Sequence, residues 1–251
     1  MSTPKSIKKE SWYRSWFDSP YYHILYKNRD EFEAAQFIDR VLKYLNPPLE
    51  SHFLDLACGK GRHSIYINKK GYRVTGVDLS KQNIKTAKIS ENERLKFDVH
   101  DMRLPYSDEK FDFVFNLFTS FGYFPTIEEN EKVLRSSYQN LRPKGKILID
   151  FLNANQVMKG LVKEEIQEID GIHFKISREI EDGIIKKNID ISDGQKELRY
   201  VERVLALTRQ DFAGMLSRCG FQILDTFGNY SLETFDADNS QRLILIARKG
   251  E

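Results

Sequence analysis

The stretch Phe53–Arg62, FLDLACGKGR, joins an apolar strand pattern to a loop with two glycines. Gly59 and Gly61 leave the main chain bare, so a ligand can approach it and the amides that open the next helix. Asp55 places a carboxylate four residues before Gly59. A pyrophosphate gains nothing from that anion, whereas a cationic group is stabilised by it. The stretch therefore favours a ligand with a cationic moiety over a dinucleotide.

Two further acidic positions follow the next strand patterns. Asp78 ends the second strand, where an acidic residue of a nucleotide-binding sheet accepts hydrogen bonds from ribose hydroxyls. Asp101 and Met102 follow the third strand, where a carboxylate and a thioether can hold an adenine ring. Adenine, ribose and a cationic amino acid occur together without phosphate in S-adenosylmethionine. The three acidic positions thus predict this molecule as the ligand.

Strand and helix patterns alternate at short spacing as far as about residue 155, and Phe111–Phe118 is nearly all apolar. This alternation predicts an α/β fold with an open, mostly parallel sheet covered on both faces. A helix pattern then returns after residue 208, and two final strands, Phe221–Phe227 and Arg242–Arg248, complete the sheet. The predicted core is therefore residues 30–160 and 208–251.

Residues 161–207 do not continue the alternation of strands and helices, because here strand patterns follow one another without helices. Asp182-Gly183 and Asp193-Gly194 are dipeptides that favour hairpin turns. We expect a small antiparallel β insert in this range rather than a separate domain. Its role is open between selecting a substrate and forming a dimer, so both a monomer and a homodimer are compatible with the sequence.

Residues 1–29 form an N-terminal segment rich in aromatic side chains, with several at helical contact spacing. Two interpretations remain open for it. The aromatic residues either pack as a core, or the segment folds as a lid over a ligand, with Tyr13 and Tyr22 offering hydroxyl groups.

Composition narrows the class of protein. The formal net charge is only +2 over 251 residues, without a basic stripe, which makes a nucleic-acid partner an unfavoured prediction. Two distant cysteines and scattered histidines predict no disulfide and no metal site. The sequence shows no signal-peptide pattern and no apolar run of membrane-spanning length. We therefore expect a cytoplasmic protein without a membrane partner.

Five stretches in fixed order resemble the class I S-adenosylmethionine-dependent methyltransferases, of the type that acts on small molecules. The stretches are Leu54–Gly61, Val74–Ser80, His100–Met102, Phe111–Asn116 and Leu141–Ile149. The resemblance covers roughly residues 30–155 and implies a Rossmann-like, doubly wound, seven-stranded sheet with a C-terminal antiparallel hairpin. It also implies that S-adenosylmethionine is the methyl donor and S-adenosylhomocysteine the product.

The same resemblance implies a set of cofactor-binding residues. Asp55 and the glycine loop would surround the methionine portion, Asp78 would hold the ribose, and Asp101 would bind the adenine edge. Asn116 would lie beneath the ligand, and Arg29 would bind the cofactor carboxylate. The complete set is Arg29, Asp55, Ala57, Gly59, Gly61, Asp78, Leu79, Asp101, Met102 and Asn116.

Methyl transfer from a sulfonium depends mainly on in-line alignment, so the sequence predicts no particular catalytic group. The segment after Asn116 lacks the Asp/Asn-Pro-Pro-aromatic signature of nucleic-acid and many protein methyltransferases, which favours a small acceptor with a nitrogen or oxygen nucleophile. Thr119, Ser120 and Tyr123 are candidates for its pocket. The alternatives are a protein or RNA acceptor, and a cofactor-binding interaction module. A dehydrogenase is disfavoured because Ser64 replaces the third glycine of its motif.

Overall fold

The computed structural model describes residues 12–27 and 31–250. Within them, the chain forms eight α-helices and eleven strands. The helices are α1 (Trp12–Phe17), α2 (Pro20–Leu25), α3 (Glu31–Leu45), α4 (Arg62–Lys69), α5 (Lys81–Ala87), α6 (Ile127–Asn140), α7 (Ala154–Lys159) and α8 (Arg209–Arg218). The strands are β1 (His52–Leu56), β2 (Arg73–Asp78), β3 (Leu95–Val99), β4 (Phe111–Asn116), β5 (Leu141–Leu152), β6 (Glu164–Ile169), β7 (Ile172–Glu181), β8 (Ile184–Ser192), β9 (Glu197–Leu205), β10 (Phe221–Phe227) and β11 (Arg242–Lys249).

The larger sheet has seven strands in the order β3-β2-β1-β4-β5-β11-β10. Strands β1 to β5 are parallel, whereas β11 is antiparallel to both β5 and β10. All five positions of β1 are buried, as the apolar sequence of a strand covered on both faces requires. The predicted Rossmann-like α/β sheet with a C-terminal hairpin is therefore confirmed. Because the strand order reverses between β1 and β4, loops from both strands open a crevice at one edge of the sheet.

One strand begins earlier than the sequence pattern indicates. The pattern places a turn at Pro143–Gly145 and a strand from Lys146, but β5 already begins at Leu141, which pairs with Phe111 of β4. The register between β4 and β5 shifts after Phe111, so that Phe113 pairs with Lys146 and the residues between Leu141 and Lys146 bulge from the ladder. The predicted start of this strand was wrong because the pairing partner, rather than the local sequence, sets it.

The smaller sheet is antiparallel, with the order β6-β7-β8-β9, and it lies within the range predicted for the insert. The turn at Asp182-Gly183 has two left-handed residues, with φ of 51° and 71°, as a tight two-residue hairpin requires. Asp170-Gly171 forms a second turn of this kind, with φ of 54° and 76°. These turns fix the hairpin register and leave one face of the sheet apolar.

Helices α1 and α2 cover that apolar face. Trp16 is fully buried there with Leu25, Phe174, Ile176, Ile189 and Ile191. The Trp16 indole Nε1 donates a hydrogen bond of 2.6 Å to Oε1 of Glu202 on β9, and the Tyr26 hydroxyl donates to the same oxygen at 2.8 Å. The aromatic segment thus contributes a core with the insert. The idea that it moves as a lid stays a prediction.

In the described part of the chain, no helix combines the length and the apolar character needed to cross a bilayer.

Candidate functional site

The loop after β1 is built from left-handed residues. Ala57, Gly59 and Gly61 have φ of 57°, 57° and 83°. A Cβ built on Gly59 would meet nothing within 4 Å, so this position faces open space. A Cβ on Gly61 would come within 2.5 Å of the Phe97 ring of β3. Gly61 therefore allows α4 to pack closely against the sheet, and its predicted contact with the cofactor stays a prediction.

Asp78 joins the ends of β1 and β2 through its carboxylate. One oxygen accepts a hydrogen bond of 2.9 Å from the Gly59 amide, and the other accepts one of 2.8 Å from the Ser80 amide. Burial raises the pKa of Asp78. This carboxylate therefore links the glycine loop to the start of α5.

Asp55 lies deeper, with 1 % of its surface exposed. Its Oδ2 accepts a hydrogen bond of 2.6 Å from the Ser64 hydroxyl. Burial, reinforced by the nearby charge of Asp78, raises the pKa of Asp55 to about 7. A cation bound beside it would favour the ionised form, because opposite charges lower the pKa of a carboxyl group.

Three connected cavities lie above this edge of the sheet. The inner cavity is lined by five of the predicted cofactor residues. They are Ala57, Asp78, Leu79, Asp101 and Met102. The central cleft is lined by Asp55, Gly59, Ala57 and Asp78. The residues from the three strand ends therefore meet at one site.

Asp101 is held in place by its neighbour Arg103. The guanidinium group donates to both carboxylate oxygens, with Nε–Oδ1 at 3.1 Å and Nη2–Oδ2 at 2.6 Å. Partial burial opposes ionisation of Asp101, but the hydrogen bonds from Arg103 lower its pKa overall. The carboxylate is thus a fixed acceptor at the wall of the inner cavity.

Asn116 lies behind this wall and is 1 % exposed. Its Nδ2 donates to the Leu56 carbonyl at 3.3 Å and contacts the Met102 sulfur at 3.8 Å. Its Oδ1 is buried without a hydrogen-bond partner among the residues that the structure describes. Asn116 supports Met102 from below, and a direct contact with the cofactor stays a prediction. Arg29 lies outside the described residues.

The outer cavity lies between the N-terminal helices, the insert and the loop after β4. Four aromatic side chains line both the outer cavity and the central cleft: Phe17, Tyr22, Phe118 and Tyr123. Among the remaining candidates for the acceptor pocket, Thr119 lines the outer cavity, Ser120 the central cleft and Tyr13 the inner cavity. The predicted tyrosines therefore lie at the site. Tyr13, however, lines the inner cavity with Asp101 and Met102 and does not line the outer cavity.

The loop after β4 has an anchor that sequence reasoning missed. Phe118 and Thr119 are both left-handed, with φ of 57° and 58°. Asp150 of β5, fully buried, accepts a 2.9 Å hydrogen bond from the Phe118 amide through Oδ2, and its carbonyl accepts one of 3.0 Å from the Thr119 amide. Arg242 donates to Oδ1 of Asp150 from Nε at 2.8 Å and from Nη2 at 2.7 Å, and reaches the Thr119 hydroxyl at 3.0 Å.

The signal for this anchor is present in the sequence as a charge within each of two apolar strands. Asp150 lies within KILIDFL, and Arg242 opens RLILIA. A buried charge is retained only when it is paired. The two strands are neighbours with Arg242 opposite Leu152, a register that the sequence alone does not provide.

A glycine loop after β1, a carboxylate at the end of β2 and a crevice at the reversal of strand order define an adenosine-binding, Rossmann-like class of protein. Comparison with known proteins agrees with this class. Residues 54–149 match a family model described as a methyltransferase domain.

Two curated relatives align over most of the chain. The glycine/sarcosine N-methyltransferase of Aphanothece halophytica is 27% identical and covers 78% of this chain and 75% of that protein. The dTDP-3-amino-3,4,6-trideoxy-alpha-D-glucopyranose N,N-dimethyltransferase of Streptomyces venezuelae is 26% identical, over 74% of this chain and 81% of its own. The crystal structure of an S-adenosylmethionine-dependent methyltransferase from Clostridium acetobutylicum ATCC 824 has the same fold, with a TM-score of 0.79 at 20% identity over 92% of this chain and 96% of that one. Residues 54–149 thus match a methyltransferase domain, and the chain has the fold of an S-adenosylmethionine-dependent methyltransferase.

Proposed function

We propose that the protein transfers the methyl group of S-adenosylmethionine to a small-molecule acceptor that binds in the outer cavity. The observation that carries this proposal is the junction of the outer cavity with the central cleft, which four aromatic side chains line from both sides. A sulfonium is stabilised over aromatic faces, as other cations are. The junction is therefore suited to present the methyl carbon to an acceptor.

The walls of the outer cavity support a small acceptor. Its walls come from α1, the loop after β4, α7 and the insert, through residues such as Trp12, Thr119, Val157 and Val204. Closing walls exclude water and hold the acceptor nucleophile, methyl carbon and sulfur in line. The proposed catalysis rests on this alignment.

We infer that the acceptor atom is nitrogen. The two relatives reported above are named as N-methyltransferases of an amino acid and of an amino sugar. The charged lining of the outer cavity is mixed, with Glu33 and Glu202 beside Arg178, Lys187 and Arg242, so the relatives alone support nitrogen.

The proposed positions of the donor follow from the cavities. The adenine occupies the inner cavity beside Asp101 and Met102, with Leu79 against its face. The ribose lies at Asp78, and the methionine ammonium group lies beside Asp55 in the central cleft.

The acceptor assignment predicts a selective effect of filling the outer cavity. Val157→Trp should lower kcat/KM for the acceptor about 5- to 150-fold, since one overpacked side chain costs about 1–3 kcal/mol, while S-adenosylmethionine affinity stays unchanged. Activity is measured as transfer of a labelled methyl group to a panel of amines, alcohols and carboxylic acids, with protein and RNA fractions as further arms. The matched control is Val162→Trp, because Val162 is 56% exposed outside the cavity. Label found only in protein or RNA would refute a small acceptor.

The raised pKa of Asp55 predicts that donor affinity depends on pH. The folded apo protein keeps Asp55 protonated below pH 7, and a bound ammonium group lowers that pKa, so binding releases a proton. Affinity for S-adenosylhomocysteine should therefore rise about tenfold between pH 6 and pH 7.5 and level off above. Calorimetry in buffers of different ionisation enthalpy measures both effects. Asp55→Asn should bind more weakly with a flat profile, and a flat profile in the unchanged protein would contradict the assignment.

A further inference from the structure

We propose that His23 and Asn83 together bind a ribose hydroxyl of the cofactor, so that helix α2 takes a direct part in holding the methyl donor. The proposal rests on the placement of the ribose at Asp78 given above. It adds a contact from the N-terminal segment to a site otherwise built from strand ends.

Asn83 is a buried polar side chain whose only neighbouring partner in the described residues is His23. It is 4% exposed, and its backbone amide donates to the Ser80 hydroxyl at 3.0 Å, which fixes the first turn of α5. Its Oδ1 is buried and forms no hydrogen bond of ordinary geometry among residues 12–27 and 31–250, although the Asn83 side chain is close enough to His23 to raise the pKa of that ring. Asn83 lines the central cleft together with Asp78. Because a buried carbonyl oxygen without a donor is costly, this atom indicates a ligand that donates a hydrogen bond.

His23 reaches the same cleft from α2. Its Nε2 is also buried and forms no hydrogen bond of ordinary geometry in the described part of the chain, and Asn83 is the neighbour that the ring faces. Burial and the charge of Lys60 lower the pKa of the ring, so it is neutral near pH 7. A neutral imidazole has one nitrogen that donates and one that accepts. His23 therefore brings an uncharged hydrogen-bonding group to face the ligand.

The chemistry of the two groups selects a hydroxyl. Asn83 Oδ1 only accepts, so it requires a donor, and a carboxylate cannot supply one. A hydroxyl donates to Oδ1 and offers its lone pairs to the imidazole N–H at the same time. Both residues line the central cleft, and Asp78, which lines both this cleft and the inner cavity, marks the boundary between them. The ribose lies between adenine and methionine in the donor, so its hydroxyls are the groups within reach of this boundary.

A second contact ties the N-terminal segment to the same loop. The Ser80 hydroxyl donates to the carboxylate of Asp18, in the turn between α1 and α2. Ser19 caps α2 by accepting from the Tyr21 amide at 3.2 Å, which sets the direction of the helix that carries His23. Docking of this segment and binding of the ribose are therefore coupled through neighbouring residues.

The test compares ligands that differ by one hydroxyl. Binding of S-adenosylhomocysteine and of its 2′-deoxy and 3′-deoxy analogues is measured calorimetrically with the full chain. We expect His23→Ala and Asn83→Ala each to weaken S-adenosylhomocysteine about five- to twentyfold, as the loss of one hydrogen bond predicts. For the analogue that lacks the contacted hydroxyl, both variants should bind as the unchanged protein does. His23→Gln, which keeps an N–H donor, should recover part of the loss.

Matched controls separate this contact from changes in folding. His173→Ala removes an exposed histidine of the insert and should leave all three affinities unchanged. Asn83 is buried, so circular dichroism checks its variant, and the His23 variants carry the test alone if that variant does not fold. Equal losses for all three ligands, or no loss for any, would overturn the proposal, as expected if the two side chains only pair with each other. Failure of the unchanged protein to bind S-adenosylhomocysteine would instead overturn the donor placement beneath it.

Discussion

Replacing Asp150 by asparagine is expected to lower the free energy of unfolding by about 3–5 kcal/mol, because it leaves Arg242 without its buried counter-charge. Asp150 is fully buried, and the Arg242 side chain is 19% exposed. The same carboxylate accepts the Phe118 amide, so the change also releases the left-handed residues after β4. Such residues persist only where their surroundings impose them. Urea unfolding measures the loss, and methyl transfer should fall with it, since Phe118 lines the junction of the two cavities.

The insert provides a matched control for this prediction. Asp190 and Arg199 also form a two-pronged ion pair, with Nε–Oδ1 at 2.5 Å and Nη2–Oδ2 at 3.2 Å, but their side chains are 37% and 76% exposed. An exposed pair is screened by water, so Asp190→Asn should leave the stability unchanged within error. Similar stabilities of the two variants would contradict the structural role given to Asp150.

Replacing Asp78 by alanine is expected to weaken S-adenosylmethionine binding about 10- to 150-fold, which corresponds to about 1.5–3 kcal/mol for a lost hydrogen bond to a charged group. Two causes act together. The ribose loses its hydrogen-bond acceptor. The amides of Gly59 and Ser80 also lose the carboxylate to which both donate. Calorimetric titration with S-adenosylmethionine and S-adenosylhomocysteine measures the change, and both ligands should be affected equally because they share the ribose.

A control for charge alone comes from Asp108, an exposed acidic residue before β4. Asp108→Ala changes the net charge by the same amount and should bind both ligands as the unchanged protein does. An Asp78→Ala variant that folds and keeps full affinity would show that the ribose does not lie at the end of β2.

Sequence reasoning succeeded where the signal is local. The apolar strand of residues 53–56 and the glycine loop place Asp55 at a strand end, and the same logic applies to Asp78 and Asp101. Parallel strands carry their carboxyl ends to one edge of a sheet, so residues far apart in the chain meet without any further information. The side of the cavities that these residues line therefore follows from topology.

The features that were missed depend on long-range pairing. Asp150 and Arg242 meet only because β5 and β11 are antiparallel neighbours in one register. The conformation of Phe118 follows from that pair rather than from its own preference, since bulky residues rarely adopt positive φ. His23 reaches the cleft only because α2 rests on the insert, which no local pattern encodes. The topology of the sheet could therefore be predicted from the sequence. The cavity walls formed by the loop after β4 and by helix α2 could not.

The contact between Trp16 and Glu202 spans 186 positions of the chain. A ribosome that adds about 5–20 residues per second needs roughly 10–40 s to deliver the second residue after the first. Until the insert is synthesised, Trp16 has no sheet to pack against. The strands that form the donor site are synthesised earlier in the same interval. The nascent chain thus carries an exposed aromatic cluster late into translation, and a chaperone that recognises such surfaces has a long time in which to bind it.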